Sequence, residues 1–443
     1  MTKYKSKAQK KQFFSHPRNR DRVFTKREPD PEQEQSFKPQ STYAVLSPEG
    51  IEQIPSCSHG PCLLFGVKKQ GEIVRKFFAC AVYRENPEEC AYKCELREDG
   101  SLGMPENCPP LPFPGQQKPK WDYGVIPKKL KTISLHAELL YCRLCDDVFE
   151  GKHRCPCEPV TRKQLKNPSK LLESLESQTG EAQYFFSDDA LSVMTAAIKN
   201  AKIDGVLCIG APRLFETLKN DKEDKKHIFM LDFDRRYAHF YQSLQYAQYS
   251  MLVDHFFDPK AEQKLNNFFA KCSSLLIVCD PPFGVILDPL VESIKKNIAR
   301  YMAARKGKKS KVNTAYIVPF FLDKHIMRLD PSFWLCDYRV TYDNHKNFSK
   351  SKRTSVRIIS DLDKNVFDLK DVPGYHFCDM CEIYVSDDNH HCYMCMKCVS
   401  RDGSKYVHCD RCMRCVKEMY NHCRLCERCH PMSRGCTANR KAY

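Results

Sequence analysis

The tetrapeptide Asp280-Pro281-Pro282-Phe283 follows directly on the apolar run Leu275-Leu276-Ile277-Val278-Cys279. A run of that length is strand-sized, which places the four residues at a strand's carboxyl end. Asp280 would supply a carboxylate acceptor and the Pro281 carbonyl a second, on a chain whose two prolines fix φ. Phe283 would supply a ring on which a flat group can stack. Two acceptors and a ring suit a planar amine or amide that must be made nucleophilic. The exocyclic amine of adenine is such a group, because its lone pair is delocalised and acceptors for its N–H bonds return density to nitrogen. The bland alternative is a loop break before Gly284. Position after a buried strand favours chemistry.

The elements upstream must position this tetrapeptide, and their ends are polar too. Gly205 to Gly210 reads as a buried strand ending in a tight turn, followed by Ala211-Pro212-Arg213 rather than G-x-G-x-x-G. Pro212 to Asn220 reads as a helix. His227 to Asp232 is a second strand, and Asp232 at its end is placed to accept from ribose hydroxyls, with Asp234 as competitor. Arg213 could reach the methionine carboxylate of S-adenosylmethionine, or lie on the surface. Gln183-Tyr184-Phe185-Phe186 precedes the first strand, and its aromatics read as core. Thr314 to Leu322 and Val356 to Ile359 are further strands. Strands separated by helical stretches predict an α/β fold with a mostly parallel, doubly wound sheet, which binds ligands at the carboxyl ends of its strands.

Twenty-six cysteines and 15 histidines are the compositional anomaly. The first residues run into charge with no apolar h-region, so secretion is not expected, and C-x2-C spacing in a reducing compartment points to zinc. The array after residue 375 is the strongest pattern. Cys378-x2-Cys381 precedes three H-C-x2-C-x2-C units: His391, Cys392, Cys395, Cys398; His408, Cys409, Cys412, Cys415; and His422, Cys423, Cys426, Cys429. Interleaving predicts Cys378, Cys381, His391 and Cys398 as one site and Cys392, Cys395, His408 and Cys415 as the next. Cys409, Cys412, His422 and Cys429 form a third, and Cys423, Cys426 and Cys436 a fourth, with His430 as the open ligand. Three thiolates and an imidazole make a closed, structural site.

Two further modules precede the α/β region. One resembles a GRF-type zinc finger, which selects Cys57, His59, Cys80 and Cys90 over Cys62 and Cys94. Arg75, Lys76 and Phe77 then offer charge and stacking surface for single-stranded nucleic acid, and Phe78 reads as core of the module. The other has Cys142, Cys145 and His153, with Cys157 preferred over Cys155 because it gives H-x3-C spacing; Pro156 stands where a second His is expected.

These features divide the chain into a disordered basic tail (1–45), a GRF-type finger (50–100), a Pro-rich linker (101–135) and a C2HC or C2H2-like finger (136–160). The α/β region that carries the tetrapeptide (165–370) and the multi-zinc array (375–437) follow. The formal charge is +16, and about six sites at net −1 each leave about +10, attributed especially to the array's Lys and Arg residues. A polyanionic partner is expected. The tail suits a nuclear or nucleolar address. No window approaches a membrane span, and no membrane partner is expected.

The run Gln183 to Phe186, the Gly210-x-Pro212-Arg213-Leu214 turn, Asp232-x-Asp234-x-Arg236-Tyr237 and Asp280 to Gly284 together resemble the zinc-finger CCHC-type ribosomal RNA adenine-N6 methyltransferases, collinearly from about residue 55 to 436. The resemblance implies a Rossmann-like class I methyltransferase core. It assigns cofactor contacts to Gln183, Tyr184, Phe185, Phe186, Gly210, Arg213, Asp232, Ser250, Met251 and Asp280, and the target adenine to Asp280, Pro281, Pro282 and Phe283. It implies S-adenosylmethionine and Zn2+ as cofactors, and a large-subunit ribosomal RNA stem-loop as partner, in the nucleus or nucleolus and also the cytoplasm. Ribosome-biogenesis or RNA-processing proteins are further expected partners, and the chain is expected to be a monomer. The family's terminal knuckle (C-x2-C-x4-H-x4-C) is not found before Tyr443, so recognition by it is not expected. Two rivals remain. Asn389-His390-His391-Cys392 is similar to the signature of protein S-acyltransferases, which are membrane proteins, and a catalytically inactive RNA-binding scaffold could keep the same fold.

Overall fold

The computed structural model describes residues 42–82, 90–104, 121–175, 183–431 and 436. Residues 1–41 of the basic tail and 105–120 of the Pro-rich linker lie outside the described residues. The centre is an eight-stranded sheet. Its strands are β1 (Gly205–Ile209), β2 (His227–Asp232), β3 (Tyr246–Ser250), β4 (His255–Phe256), β5 (Ser274–Cys279), β6 (Lys311–Pro319), β7 (Trp334–Cys336) and β8 (Val356–Ser360). The spatial order is β4-β3-β2-β1-β5-β6-β8-β7. Strands β3, β2, β1, β5 and β6 are parallel, as their spacing predicts. Strand β4 runs antiparallel to β3, β8 to β6 and β7 to β8, so the mostly parallel sheet has antiparallel strands at both edges. The strand expected to reach Leu322 stops at Pro319 and turns into a 3-10 segment, Phe320–Leu322.

The apolar runs of β1 and β5 are continuous because both faces of the sheet are covered. Strand alternation divides them between two layers. Val206, Cys208, Leu276 and Val278 enter the layer beneath α1 (Asp188–Asn200) and α2 (Pro212–Asn220). Leu207, Ile209, Leu275 and Ile277 enter the other, beneath α3 (Ala261–Phe269) and α4 (Leu287–Arg305). Each such aliphatic side chain stabilises the fold by about 1.5–3 kcal/mol. Helix α1 starts where the Ser187 hydroxyl accepts from the Ala190 N–H, and α2 starts on Pro212, whose fixed φ suits a first turn.

The chain goes outward from β1 to β3 and returns to β5 beside β1. This is the point in a doubly wound sheet where strand ends part to make a crevice. There the backbones crowd: the Asp280 N–H donates to the Ile209 carbonyl at 3.0 Å and the Gly210 N–H to that of Leu231 at 2.9 Å. Gly210 has φ +65°, and a Cβ on it would lie 2.6 Å from the Asp280 carbonyl oxygen.

The modules on either side are small sheets. Residues 42–46, 60–69, 72–80 and 93–96 form one, and 139–142, 147–150 and 158–160 another. The array is four successive two-stranded hairpins. Its root is bound to the central sheet's edge by buried polar groups. Asp337 accepts from the Ser386 N–H, the Ser386 hydroxyl and Asn389 at 2.9–3.0 Å, and Arg339 pairs with Asp388 at 2.7 Å. Arg357, fully buried, donates to the Arg401 carbonyl at 2.6 Å.

Gly210→Ala is expected to destabilise the protein by about 2 kcal/mol, because it combines a left-handed φ with a backbone collision. Urea midpoints of the two proteins would measure this, and an unchanged midpoint would contradict the close approach.

Candidate active site and metal centres

A cleft opens over the carboxyl ends of β1, β2, β3 and β5. Gln183, Tyr184, Gly210, Asp232, Ser250, Met251 and the whole of Asp280 to Phe283 line it. Ten of the residues singled out from sequence therefore meet in one place. Three do not. Phe186 is core, 1% exposed and packed on Tyr342. Phe185 and Arg213 face a neighbouring groove with Asp343 and Asn344. The Arg213 guanidinium lies over the Phe185 ring, donates to the Phe186 carbonyl at 2.7 Å and pairs with Asp343. Arg213 therefore sits in the groove beside the cleft, with its Nη1 engaged and its Nε buried without a hydrogen-bond partner among the described residues.

The strap Gln183–Phe186 is held by a partner segment without any motif. The Asp343 N–H donates to the Phe185 carbonyl at 2.9 Å, and Asn344 brackets the strap through the Phe185 N–H and the Gln183 carbonyl at 2.8 Å each. This segment also delivers Tyr342 to the cleft, where its hydroxyl donates to the Asp280 carboxylate at 2.8 Å. Phe283 lies stacked on Tyr184, with ring centroids 4.9 Å apart and 15° between planes. Sequence reasoning missed Tyr342. It also missed Ala81 and Val82, which follow the cysteine at 80 and wall the cleft from the first zinc module.

Burial governs the acids. Desolvation pushes the Asp232 carboxyl up to about 7, and the adjacent Asp234 carboxylate adds to the effect. Asp234 is itself engaged at both oxygens by Arg236, at 2.9 and 2.7 Å. Of the two competitors it is therefore Asp232 that lacks a cation partner among the described residues and remains open to hydroxyl donors. Asp280 is driven well above the ordinary carboxylate range by burial, which the Tyr342 hydrogen bond opposes and the Asp232 charge reinforces. An acceptor at β2, a side-chain-free turn at Gly210, and Met251 beside that turn form a cradle that fits a nucleoside carried on a sulfonium.

Four ligand atoms converge at each of the metal clusters: Cys57, His59, Cys80 and Cys90; Cys378, Cys381, His391 and Cys398; Cys392, Cys395, His408 and Cys415; Cys409, Cys412, His422 and Cys429. The last unit brings His430 and Cys436 to Cys423, with Cys426 beside them, so His430 stands near the position left open in the fourth site. The second finger departs from its spacing. Cys155, not Cys157, joins Cys142, Cys145 and His153, with the Cys155 sulfur 3.9 Å from that of Cys145. Cys157 turns its thiol onto the Cys155 carbonyl at 3.3 Å, because the chain enters the strand Glu158–Val160 immediately after it. In the first module Phe78 is fully buried, whereas Phe77 is half-buried, stacked on the buried Phe65 with Lys93 over its ring.

Charge in the array is balanced rather than basic. Between residues 375 and 431 eight Lys and Arg face eight Asp and Glu. Arg401 pairs with Asp323, Lys405 with Glu418 and Lys417 with Asp402. Three further cations counted with the array from sequence, Arg434, Arg440 and Lys441, lie outside the described residues.

The family described as "Probable N6-adenine methyltransferase" matches residues 177–361, the stretch that builds the cleft floor. The chain is 33% identical to "rRNA N(6)-adenosine-methyltransferase ZCCHC4" of Mus musculus over 76% of its length and 69% of the relative's. The Homo sapiens protein of that name is 33% identical over 78% of this chain and 71% of its own, and the Xenopus laevis one 30% over 78% and 74%. The chain belongs to this methyltransferase family. Membership implies S-adenosylmethionine as methyl donor, and the Cys/His clusters are able to bind zinc. Among the described residues no helix is long and apolar enough to cross a membrane, and His391 and Cys392 each belong to a metal cluster.

Two measurements test this geometry. Cys155→Ser is expected to remove one zinc per chain and Cys157→Ser none, read by metal analysis of the purified proteins. Between pH 3.8 and about 7 the folded chain keeps a proton on Asp232 that the unfolded chain releases, so stability falls as pH rises through that window. Asp232→Asn should flatten the fall in urea midpoint, and an equally steep fall in the variant would show that Asp232 is not its source.

Proposed function

We propose that this methyltransferase transfers a methyl group from S-adenosylmethionine to the exocyclic amine of an adenosine in large-subunit ribosomal RNA. The observation that carries this reading is the placement of Asp280 to Phe283 at the end of β5, in one cleft with Asp232 and Gly210. S-adenosylmethionine supplies an electrophilic methyl group when bound. Asp232 would accept from its ribose hydroxyls, with Ser250 and Met251 beside Gly210 completing that half of the cleft. The Asp280 carboxylate and Pro281 carbonyl accept from the target amine and raise its electron density. Phe283 holds the flipped base flat, and the apolar wall from Ala81 and Val82 excludes water.

The relatives' names specify rRNA, and a stem-loop as the element recognised is our extension of the family resemblance. About six structural zinc sites, a monomeric state, contact with ribosome-biogenesis or RNA-processing proteins, and residence in the nucleus and nucleolus belong to the same reading. So does the division into two zinc fingers, a catalytic region at about 165–370 and an array at 375–437.

Asp280→Ala is expected to lower methyl transfer at least about 100-fold while RNA affinity stays unchanged. The assay is incubation of labelled S-adenosylmethionine with total RNA, followed by nucleoside analysis of the separated ribosomal RNAs. A labelled N6-methyladenosine peak in the large-subunit RNA that disappears with the variant supports the assignment. Full activity of the variant would remove Asp280 from the mechanism.

A further inference from the structure

Tyr342 is fully buried, and its hydroxyl donates to the Asp280 carboxylate at 2.8 Å. A buried phenol is costly unless its hydroxyl is paired, and a phenylalanine would fill the same space without that demand. The placement of this ring is overdetermined. The Tyr342 N–H donates to the Phe348 carbonyl at 3.0 Å, and residue 342 bridges to Phe186 as an isolated β pair. The ring packs against Phe186, Phe283 and Tyr184, with centroids 5.3, 5.6 and 6.0 Å away. One oxygen of the carboxylate is thus held by a phenol that is itself fixed in place.

The charges around Asp280 make that donor matter. Asp232, from the end of β2, faces it across the cleft, and Asp234 behind Asp232 is neutralised by Arg236. Among the described residues no lysine or arginine forms an ion pair with Asp280. His345 touches Tyr184 and Phe283 rather than the carboxylate. A desolvated carboxylate beside another acid, with no cation, tends to take up a proton, and a protonated Asp280 can present its hydroxyl rather than an acceptor to an amine. A hydrogen bond from a neutral phenol is what favours the ionised form here.

We propose that Tyr342 is a positioning residue for methyl transfer, which orients the Asp280 carboxyl group and shifts it toward the ionised form that accepts from the target amine. This rests on the reading of Asp280 given above. Tyr342 acts through Asp280, so its effect belongs in the rate and its pH dependence rather than in RNA affinity.

The test compares kcat and KM of the full chain and Tyr342→Phe from pH 5.5 to 9, with rates normalised to the fraction of protein that binds S-adenosylmethionine. The expected result is a kcat about 10-fold lower near neutral pH, an acidic limb displaced upward by about one unit, recovery at high pH, and KM values within about two-fold for both substrates. A uniform loss at every pH would assign Tyr342 a packing role only, and an unchanged kcat with an unmoved limb would overturn the proposal. Asp280→Ala measured alongside separates the two readings. If it stays active, the assignment of Asp280 fails; if it is inactive while Tyr342→Phe keeps the wild-type profile, only the role of Tyr342 fails.

Discussion

At the ends of β1, β2 and β5 the backbone is packed so closely that a single Cβ on Gly210 would strike the Asp280 carbonyl. That approach sets the geometry of everything above it. It draws the tetrapeptide down beside the β1 turn and brings the Asp280 carboxylate into the same desolvated space as Asp232. Two acids without a cation would be costly in a core whose only task was stability. Here they line a cleft, and their neighbours are arranged to manage them: Arg236 neutralises Asp234, leaving Asp232 free, and Tyr342 holds Asp280.

Zinc chemistry reaches this cleft through packing. Cys80 ends a strand of the first module, and the next two residues, Ala81 and Val82, wall the cleft. Leu63, Phe65, Ala79 and Ala81 form one apolar cluster with Leu252, Val253 and Ile286 of the catalytic region. Metal at the first site would hold a wall of the active site in place. The array obeys a different constraint. Glu382, Met396, Met413 and Glu427 each follow the second cysteine of a C-x2-C pair, and each has φ between 47° and 54°. Asp146 holds the same place in the second finger with φ 47°. Left-handed backbone costs a non-glycine residue about 1 kcal/mol or more, so five such turns require something else to hold them. Convergent thiolates around a metal do that without a hydrophobic core.

Much of the catalytic fold is legible in sequence because buried parallel strands are short apolar runs and their ends carry the polar groups. β1, β2 and β5 begin and end as the pattern predicts, and α2 spans Pro212 to Asn220 as expected. The cysteine pairing was equally legible where repetition supplied redundancy. It failed at Cys155 against Cys157, where spacing alone allowed two thiols and the path of the following strand chose between them. The surroundings of Arg213 were hidden for a related reason: Asp343, which pairs with it, lies 130 residues away in sequence. Tyr342 lies in a segment with no periodicity and no motif, and only its long-range contact with Asp280 marks it.

The balance of charge in the array bears on how RNA is met. Eight cations against eight acids leave no surplus between residues 375 and 431, and each site of three thiolates and one imidazole around Zn2+ adds a further −1. The tail is different: residues 1–41 hold eleven Lys and Arg against five Asp and Glu. Attraction to phosphate scales with the number of cations that displace counterions, and residues 1–41 concentrate them far more than residues 375–431 do. The array, bound to the β7–β8 edge through Asp337, Arg339 and Arg357, is therefore better suited to shape than to charge. Its first hairpin is fixed to the catalytic sheet by buried polar groups, so the array and the cleft keep a common frame at that root.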